Sequence, residues 1–378
     1  MKNVINSRWI YNLIALILIL LVIIIPFFRI DGGLVDDDFY YINIAESLPN
    51  YQLSVFPLGY PLLLRMINFI FNDYFITSRV IAIFSFVFIL LFSKIKDFFF
   101  KETVLLMGFK FFTIFFYSLS ETVFLPIFYI TIYSLYNILV NKKNMLFLLG
   151  VSVFILVTIR YSGLFVWSGI FLYSILNYFL YNAKEDRKWS ISLFKSLFLS
   201  LSLIILFLLS NLYFTHAFFG ENVRENSLLQ SSTGLQFLLR NILFPFYIAL
   251  NPISEIFRFS FFSFIFTLII ASVFSSLFLY LLYRNFKTVN KNFLVLSIVM
   301  MLVYFSGLIY SSYKTGIEAM HFRLNTPIVF LLFFIIIISI KNKIGSVILL
   351  FSAFFSISIN LYYNLNNSFN YLEKRNNE

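Results

Sequence analysis

The sequence predicts an all-α, polytopic transmembrane protein of about eleven spans, with interfacial helices in a first outer loop. Three observations carry that prediction. Of the 378 residues, 61% are hydrophobic and only 12% charged, and the mean hydropathy is +0.90; soluble domains average about 45–50% apolar and about 25% charged residues. The apolar residues fall in runs long enough to cross a bilayer. The few charges sort by side of those runs. A surface folded in water needs more polar cover than this chain carries. With 12 Gly, 8 Pro and no Cys, collagen-like and disulfide-scaffold classes are excluded, as are thiol nucleophiles and Cys-based metal sites.

A helix needs about 20 mostly apolar residues to cross the hydrocarbon core. That ruler predicts spans at 9–28, 74–93, 103–118, 120–140, 145–159, 162–181, 191–212, 261–283, 293–311, 324–340 and 344–363. The first follows MKNVINSR, has a long apolar core and lacks a small-residue cleavage site, so it reads as an anchor and not a removed signal. The stretches 57–71 and 236–250 suit short or re-entrant helices. No fixed-period repeat, Gly/Ser linker or terminal soluble domain breaks the pattern. Residues 1–378 therefore read as a single transmembrane domain with two long loops, 29–73 and 213–260.

Charge gives the orientation. With the N-terminus inside, the inner segments hold 16 of the 28 basic residues, among them Lys94, Lys96, Lys142, Lys143, Arg187 and Lys291. Only four of the 17 acids, Asp97, Glu102, Glu185 and Asp186, share that side. This is the positive-inside bias, and it puts both long loops outside. It also accounts for the net charge of +11 without a nucleic-acid partner. The expected setting is an integral protein of a bacterial inner (cell) membrane, with a cytoplasmic N-terminus.

The outer segments hold the candidate chemistry. Asp36, Asp37 and Asp38 stand in a row just before FYYINIAESL, whose spacing is helical. On that helix Asp37, Tyr41, Ile44 and Leu48 share one face, and Asp38, Ile42 and Ala45 the next. Such a helix would lie in the interface with its acids at headgroup level. The same acids equally suit a plain helix start, one Asp capping and the others solvated. Glu121 opens the fourth span, where Ser118 or Ser120 would cap the helix and an acid suits the first turn. An acid beside a span in so charge-poor a chain is also a functional candidate. Arg160 in the next outer corner, Arg224 in the long loop, and Lys314, His321 and Arg323 before the tenth span could clamp a phosphate or snorkel to lipid headgroups. Lys110 lies inside the third span and calls for a partner or an aqueous path.

These motifs, taken in order, resemble the GT-C superfamily of membrane glycosyltransferases, in the branch of protein mannosyltransferases and aminoarabinose transferases. That pattern has an Asp-Glu-x-x-Tyr loop after the first span, here Asp37-Asp38-Phe39-Tyr40-Tyr41. A Pro-Leu-x-x-Pro-Leu segment follows as Pro57-Leu58-Gly59-Tyr60-Pro61-Leu62, then an Arg early in the second span, Arg79. Glu121, a Thr158-to-Gly163 corner and an Arg323-to-Pro327 entry complete it. The likeness covers 1–180 and the segment around 315–335. The second acid is Asp38 where the pattern has Glu, and the long outer loop matches no acceptor motif.

The resemblance implies transfer of a hexose or pentose from a polyprenyl-phosphate carrier to an acceptor hydroxyl at the outer face, with inversion. The acceptor would be a glycan, lipid or protein, with membrane lipids as surroundings. In that reading Asp37 is the general base. Arg323, Arg160 and Arg224 steady the leaving phosphate, with His321, Lys314 and Tyr41 also in the binding region. Asp38 and Glu121 orient the acceptor or hold a divalent cation; no cofactor is otherwise implied, and with two His and no Cys a tight zinc site is not expected. The alternatives are a lipid-linked glycan flippase or transporter, which predicts charges at the midplane and a repeated half, an O-antigen-type polymerase or ligase, and a membrane scaffold that tolerates loss of the outer acids.

The cysteine-free chain makes the orientation testable by single-cysteine labelling. Ser227→Cys should react with a membrane-impermeant maleimide in intact cells, and Lys143→Cys only after permeabilisation. The reverse pattern would invert the topology.

Overall fold

The structure, a computed structural model, describes residues 8–28, 36–49, 56–117, 119–180, 184–215, 288–315, 322–340, 345–358 and 360–361, with isolated positions at 218, 272, 276, 280 and 283. Every regular element among them is helical. In chain order these are α1 (Arg8–Ile24, continued as a 3-10 turn Ile25–Phe28), α2 (Asp36–Ser47), α3 (Gly59–Phe71), α4 (Tyr74–Ile95) and α5 (Phe100–Gly108). After a 3-10 segment Lys110–Phe116 come α6 (Glu121–Leu139), α7 (Leu146–Ile159), α8 (Gly163–Leu180), α9 (Lys184–Thr215), α10 (Lys291–Thr315) and α11 (Phe322–Ser339). A last apolar helix, α12, spans Gly345–Ser358.

Five of the described helices are long and apolar enough to cross a membrane: Arg8–Phe27, Tyr74–Ile95, Glu121–Leu139, Trp189–Tyr213 and Lys291–Ser311. Shorter apolar helices occupy the places where sequence predicts spans at 145–159, 162–181, 324–340 and 344–363. This is the make-up of a helical membrane protein. The predicted span at 261–283 and most of the loop 213–260 lie outside the described residues.

Burial separates inner from outer helices. The apolar window of α6 is 78% buried and that of α9 only 28%. In α11 nearly every side chain from Asn325 to Ile337 is buried, so this helix, apolar all round, runs through the centre. Its Phe330 packs edge-on against Phe111 and Tyr129, and Phe334 against Tyr129 and Phe99. Aromatic pairs of this geometry each add about 0.5–1.5 kcal/mol beyond area burial.

The predicted third span is where the structure departs from the sequence reading. It is not one helix. α5 stops at Gly108, Phe109 turns extended, and Lys110–Phe116 continue as a 3-10 segment. A hydropathy window sums composition and is blind to such a break. Two contacts hold it: α12 packs Ile357 and Ala353 against Gly108, and the Arg79 guanidinium of α4 donates to the Phe116 carbonyl at 2.6 Å. Lys110 is buried at the start of the 3-10 turn.

Corners carry their own chemistry. Asp73 caps α4, accepting from the backbone N–H groups of Phe75 and Ile76 at 2.7 and 3.1 Å. Arg65 of α3 donates to the carbonyls of Ala45 and Glu46 at 3.1 and 3.0 Å, satisfying the open C-terminal end of α2. Gly59, at the start of α3, lies directly on the Thr158 carbonyl at the end of α7. That approach seats the α2–α3 hairpin on the α7–α8 corner. A Cβ would collide with backbone there. Gly59→Ala, which on helix propensity alone would stabilise by up to about 1 kcal/mol, is therefore expected to destabilise by about 1–3 kcal/mol. Tryptophan-detected thermal unfolding in detergent gives the sign.

Candidate functional site

Polar side chains gather at one end of the bundle. α4 and α6 start at that end and α7 finishes there, while Lys94, Lys96, Lys142 and Lys143 sit at the opposite end of the same helices. The centre of the cluster is an ion pair between Arg160, the residue after α7, and Glu121, the first residue of α6. Their side chains are only 17% and 7% exposed. Burial, the largest single influence, would lower the guanidinium pKa, but the Glu121 carboxylate together with Tyr41 and Tyr304 outweighs it and the net shift is upward, so Arg160 stays charged.

A hydrogen-bonded chain leads from this pair to α2. Ser120 Oγ donates to Glu121 Oε2 at 3.4 Å, and Tyr41 OH lies 2.9 Å from Ser120 Oγ. A serine hydroxyl has one proton, so the phenol donates to the serine. Burial raises the Tyr41 pKa, which keeps that donor proton in place. Tyr41 in turn packs edge-on against Tyr60 of α3, ring centroids 5.0 Å apart. Of the two expected caps of α6, Ser118 lies outside the described residues, and Ser120 stands at the cap position but makes no side-chain capping bond, its hydroxyl being directed to Glu121.

The three acids of α2 part company. Asp38, Tyr41 and Ala45 are buried, at 1%, 4% and 0% exposure, a spacing of three and four that marks the inward face of a helix. Asp38 reaches the Tyr60 hydroxyl electrostatically, as does Arg79. Asp37 is half-buried and within electrostatic range of Tyr41. The Asp36 side chain lies outside the described residues. Sequence periodicity paired Tyr41 with Asp37; packing pairs it with Asp38. For the divalent cation suggested for Asp38 and Glu121, the fit is poor. Glu121 is taken by Arg160 and Ser120, and no cluster of three acids or histidines occurs among the described residues.

Arg160 and Glu121 also line a small cleft between α6, α10 and α11, completed by Tyr304 and Thr326. Its apolar walls are Phe124, Leu125 and Pro327. It is small, with room for about one water molecule. Tyr304 OH donates to the Leu324 carbonyl at 3.4 Å, tying α10 to the start of α11. Beyond Tyr304 and Pro327 lies a second cleft, walled by Phe128, Val166, Met300, Met301 and Leu331. Arg160, expected to be a phosphate ligand, has its charge matched by Glu121. An anion entering the first cleft would meet that carboxylate as well as the guanidinium. Two unit charges about 4 Å apart at an effective dielectric of ~20 interact by about 4 kcal/mol, so repulsion largely cancels attraction.

Arg323 and Lys314 have backbone positions in the first turn of α11 and the last turn of α10, but their side chains lie outside the described residues, as do Arg224 and His321 entirely. Tyr304 was missed by sequence reasoning; its one signal was a phenol inside an otherwise apolar span. Thr326 stood unremarked within the Arg323-to-Pro327 motif. The chain matches no family model, no curated protein and no solved structure.

Removing one member of a buried ion pair strands the other charge, at a cost of about 3–5 kcal/mol. Arg160→Met is expected to lower stability by that order. Arg160→Met together with Glu121→Leu should regain most of it, as read by detergent-phase thermal unfolding.

Proposed function

We propose that this protein is a membrane glycosyltransferase. It moves a sugar from a polyprenyl-phosphate carrier to an acceptor hydroxyl at the outer face of an inner membrane, within an eleven-span topology whose N-terminus is inside. The observation that carries the reading is the convergence of α2, the α6 start, the α7–α8 corner and the α11 entry on one polar cluster, at the end opposite the basic loops. Four segments far apart in sequence meet there.

In this mechanism Asp37 takes the acceptor hydroxyl's proton. The oxygen attacks the anomeric carbon from the face opposite the phosphate, the carbon–oxygen bond to phosphate breaks, and the configuration inverts. The negative charge gained by the lipid phosphate is steadied by Arg323, assisted by Lys314, His321 and Arg224. Asp37 suits the base role because it is only half-buried, whereas Asp38 is buried within electrostatic reach of Tyr60. Asp38 and Tyr41 then act as positioning residues that seat α2.

The test is transfer from labelled polyprenyl-phosphate sugar in membranes containing the full chain. Asp37→Asn is expected to lower the rate about 10²–10⁴-fold, the usual worth of a general base. Protein level and unfolding temperature should stay unchanged. Undiminished transfer in Asp37→Asn would remove the proposed base, and absence of transfer from any such donor by the unaltered chain would overturn the function.

A further inference from the structure

We infer that α3 lies lengthwise in the leaflet at the polar end of the bundle, and that its stripe of Leu62, Met66, Phe69 and Ile70 is an interaction surface for lipid acyl chains. The inference stands on packing and exposure and does not need the transferase reading. α3 has 13 residues and is about 20 Å long, short of the roughly 30 Å of a bilayer's hydrocarbon core. Both its ends are held at the same end of the bundle. Gly59 touches the Thr158 carbonyl near the close of α7, and only Asn72 and Asp73 separate Phe71 from the start of α4. A helix tied at one level at both ends runs along the membrane plane, not through it.

The two faces of α3 leave no side for water. Tyr60 and Leu64 are buried on one face, where Tyr60 meets Tyr41 of α2. Leu62, Met66, Phe69 and Ile70, at steps of four, three and one, share the opposite face. Phe69 is 89% exposed, and Met66 and Ile70 are each 72% exposed. The polar side chains near the stripe are engaged by protein: Arg65 donates to the α2 carbonyls, and Asn68 accepts from Thr77 of α4 at 3.1 Å. Next along the chain, Phe75 and Ile76 are exposed in the first turn of α4, and Phe84 farther down it. The stripe therefore adjoins the exposed apolar side of a helix long enough to cross a membrane. A contiguous apolar surface of this kind marks a contact with lipid or protein, and continuity with α4 assigns it to lipid. The packed neighbour α2 contrasts with it, presenting Asn43, Glu46 and Ser47 outward. Polarity thus divides the hairpin, with α3 among acyl chains and α2 toward the headgroups. A helix seated in this way sinks about 5–10 Å into the boundary between headgroups and chains.

The test is nitroxide labelling of the cysteine-free full chain in phosphatidylcholine–phosphatidylglycerol vesicles. Met66→Cys, Phe69→Cys, Phe84→Cys and Asn43→Cys are labelled one at a time, all at exposed positions where the label displaces no packing. Collisions with oxygen, which concentrates in lipid, are compared with collisions with a water-soluble nickel chelate. The labels at positions 66 and 69 are expected to favour oxygen, at a depth of about 5–10 Å. The label at position 84 should favour oxygen more strongly, and the label at position 43 should favour nickel. Nickel access exceeding oxygen access at both 66 and 69 would put the stripe in water and overturn the inference. Shielding from both reagents, or spin–spin broadening between labels at position 69 of two molecules, would reveal protein cover and overturn it as well. None of these readouts depends on sugar transfer, so failure here and failure of the transferase reading are separate results.

Discussion

A carboxylate and a guanidinium buried together at one end of an apolar helical bundle set the terms for everything near them. Neither Glu121 nor Arg160 could be buried there alone, because an isolated charge out of water costs far more than packing returns. Their pairing ties the first residue of α6 to the residue that ends α7. It also directs the Ser120 hydroxyl away from its helix and toward Glu121, which presents an acceptor for Tyr41. The α2–α3 hairpin is thus attached to the transmembrane bundle through a phenol that burial keeps protonated. Gly59 on Thr158 fastens the same hairpin to the bundle at a second point, and Arg65 on the α2 carbonyls holds its two helices together.

The broken segment between α5 and α6 contributes to the same arrangement. A continuous helix from Phe100 onward would leave the Phe116 carbonyl bonded within its own turn. Instead it accepts from Arg79, five residues before the α6 start. Arg79 thereby joins α4 to the approach of Ser120 and Glu121, while also standing near Tyr60. The aromatic interior around Phe330 and Phe334 keeps α11 central, and α11 brings Thr326 and Pro327 to the cleft. Polar cluster and apolar core are therefore two ends of one packing problem. The helices that fill the middle are those whose ends carry the site.

Electrostatics assigns the parts. The acids of α2 were equivalent as a run, yet Asp38 is buried in the protein while Asp37 is only half-buried. Arg160 looks like a phosphate ligand when read singly and becomes half of a neutral unit once Glu121 is beside it.

Much of the fold was legible in the sequence, because membrane insertion is additive. Hydropathy over about 20 residues and the sidedness of lysines need no knowledge of neighbours. For that reason the helical membrane class, the helix after Asp36, and Glu121 at a helix start all emerged from residues read in order. What the chain could not reveal depends on contacts far apart in sequence. Arg79 meets Phe116, Tyr41 meets Ser120, and Arg160 meets Glu121, at separations of 37, 79 and 39 residues. Periodicity names the faces of a helix but not which face finds a partner, so it could not tell Asp38 from Asp37. Composition declares 103–118 apolar enough to span and cannot detect that Arg79 and α12 hold it bent. The sequence by itself determined that the chain is a helical membrane protein, because hydropathy is a local sum; tertiary packing alone decided which charges are paired, because pairing is a property of two places at once.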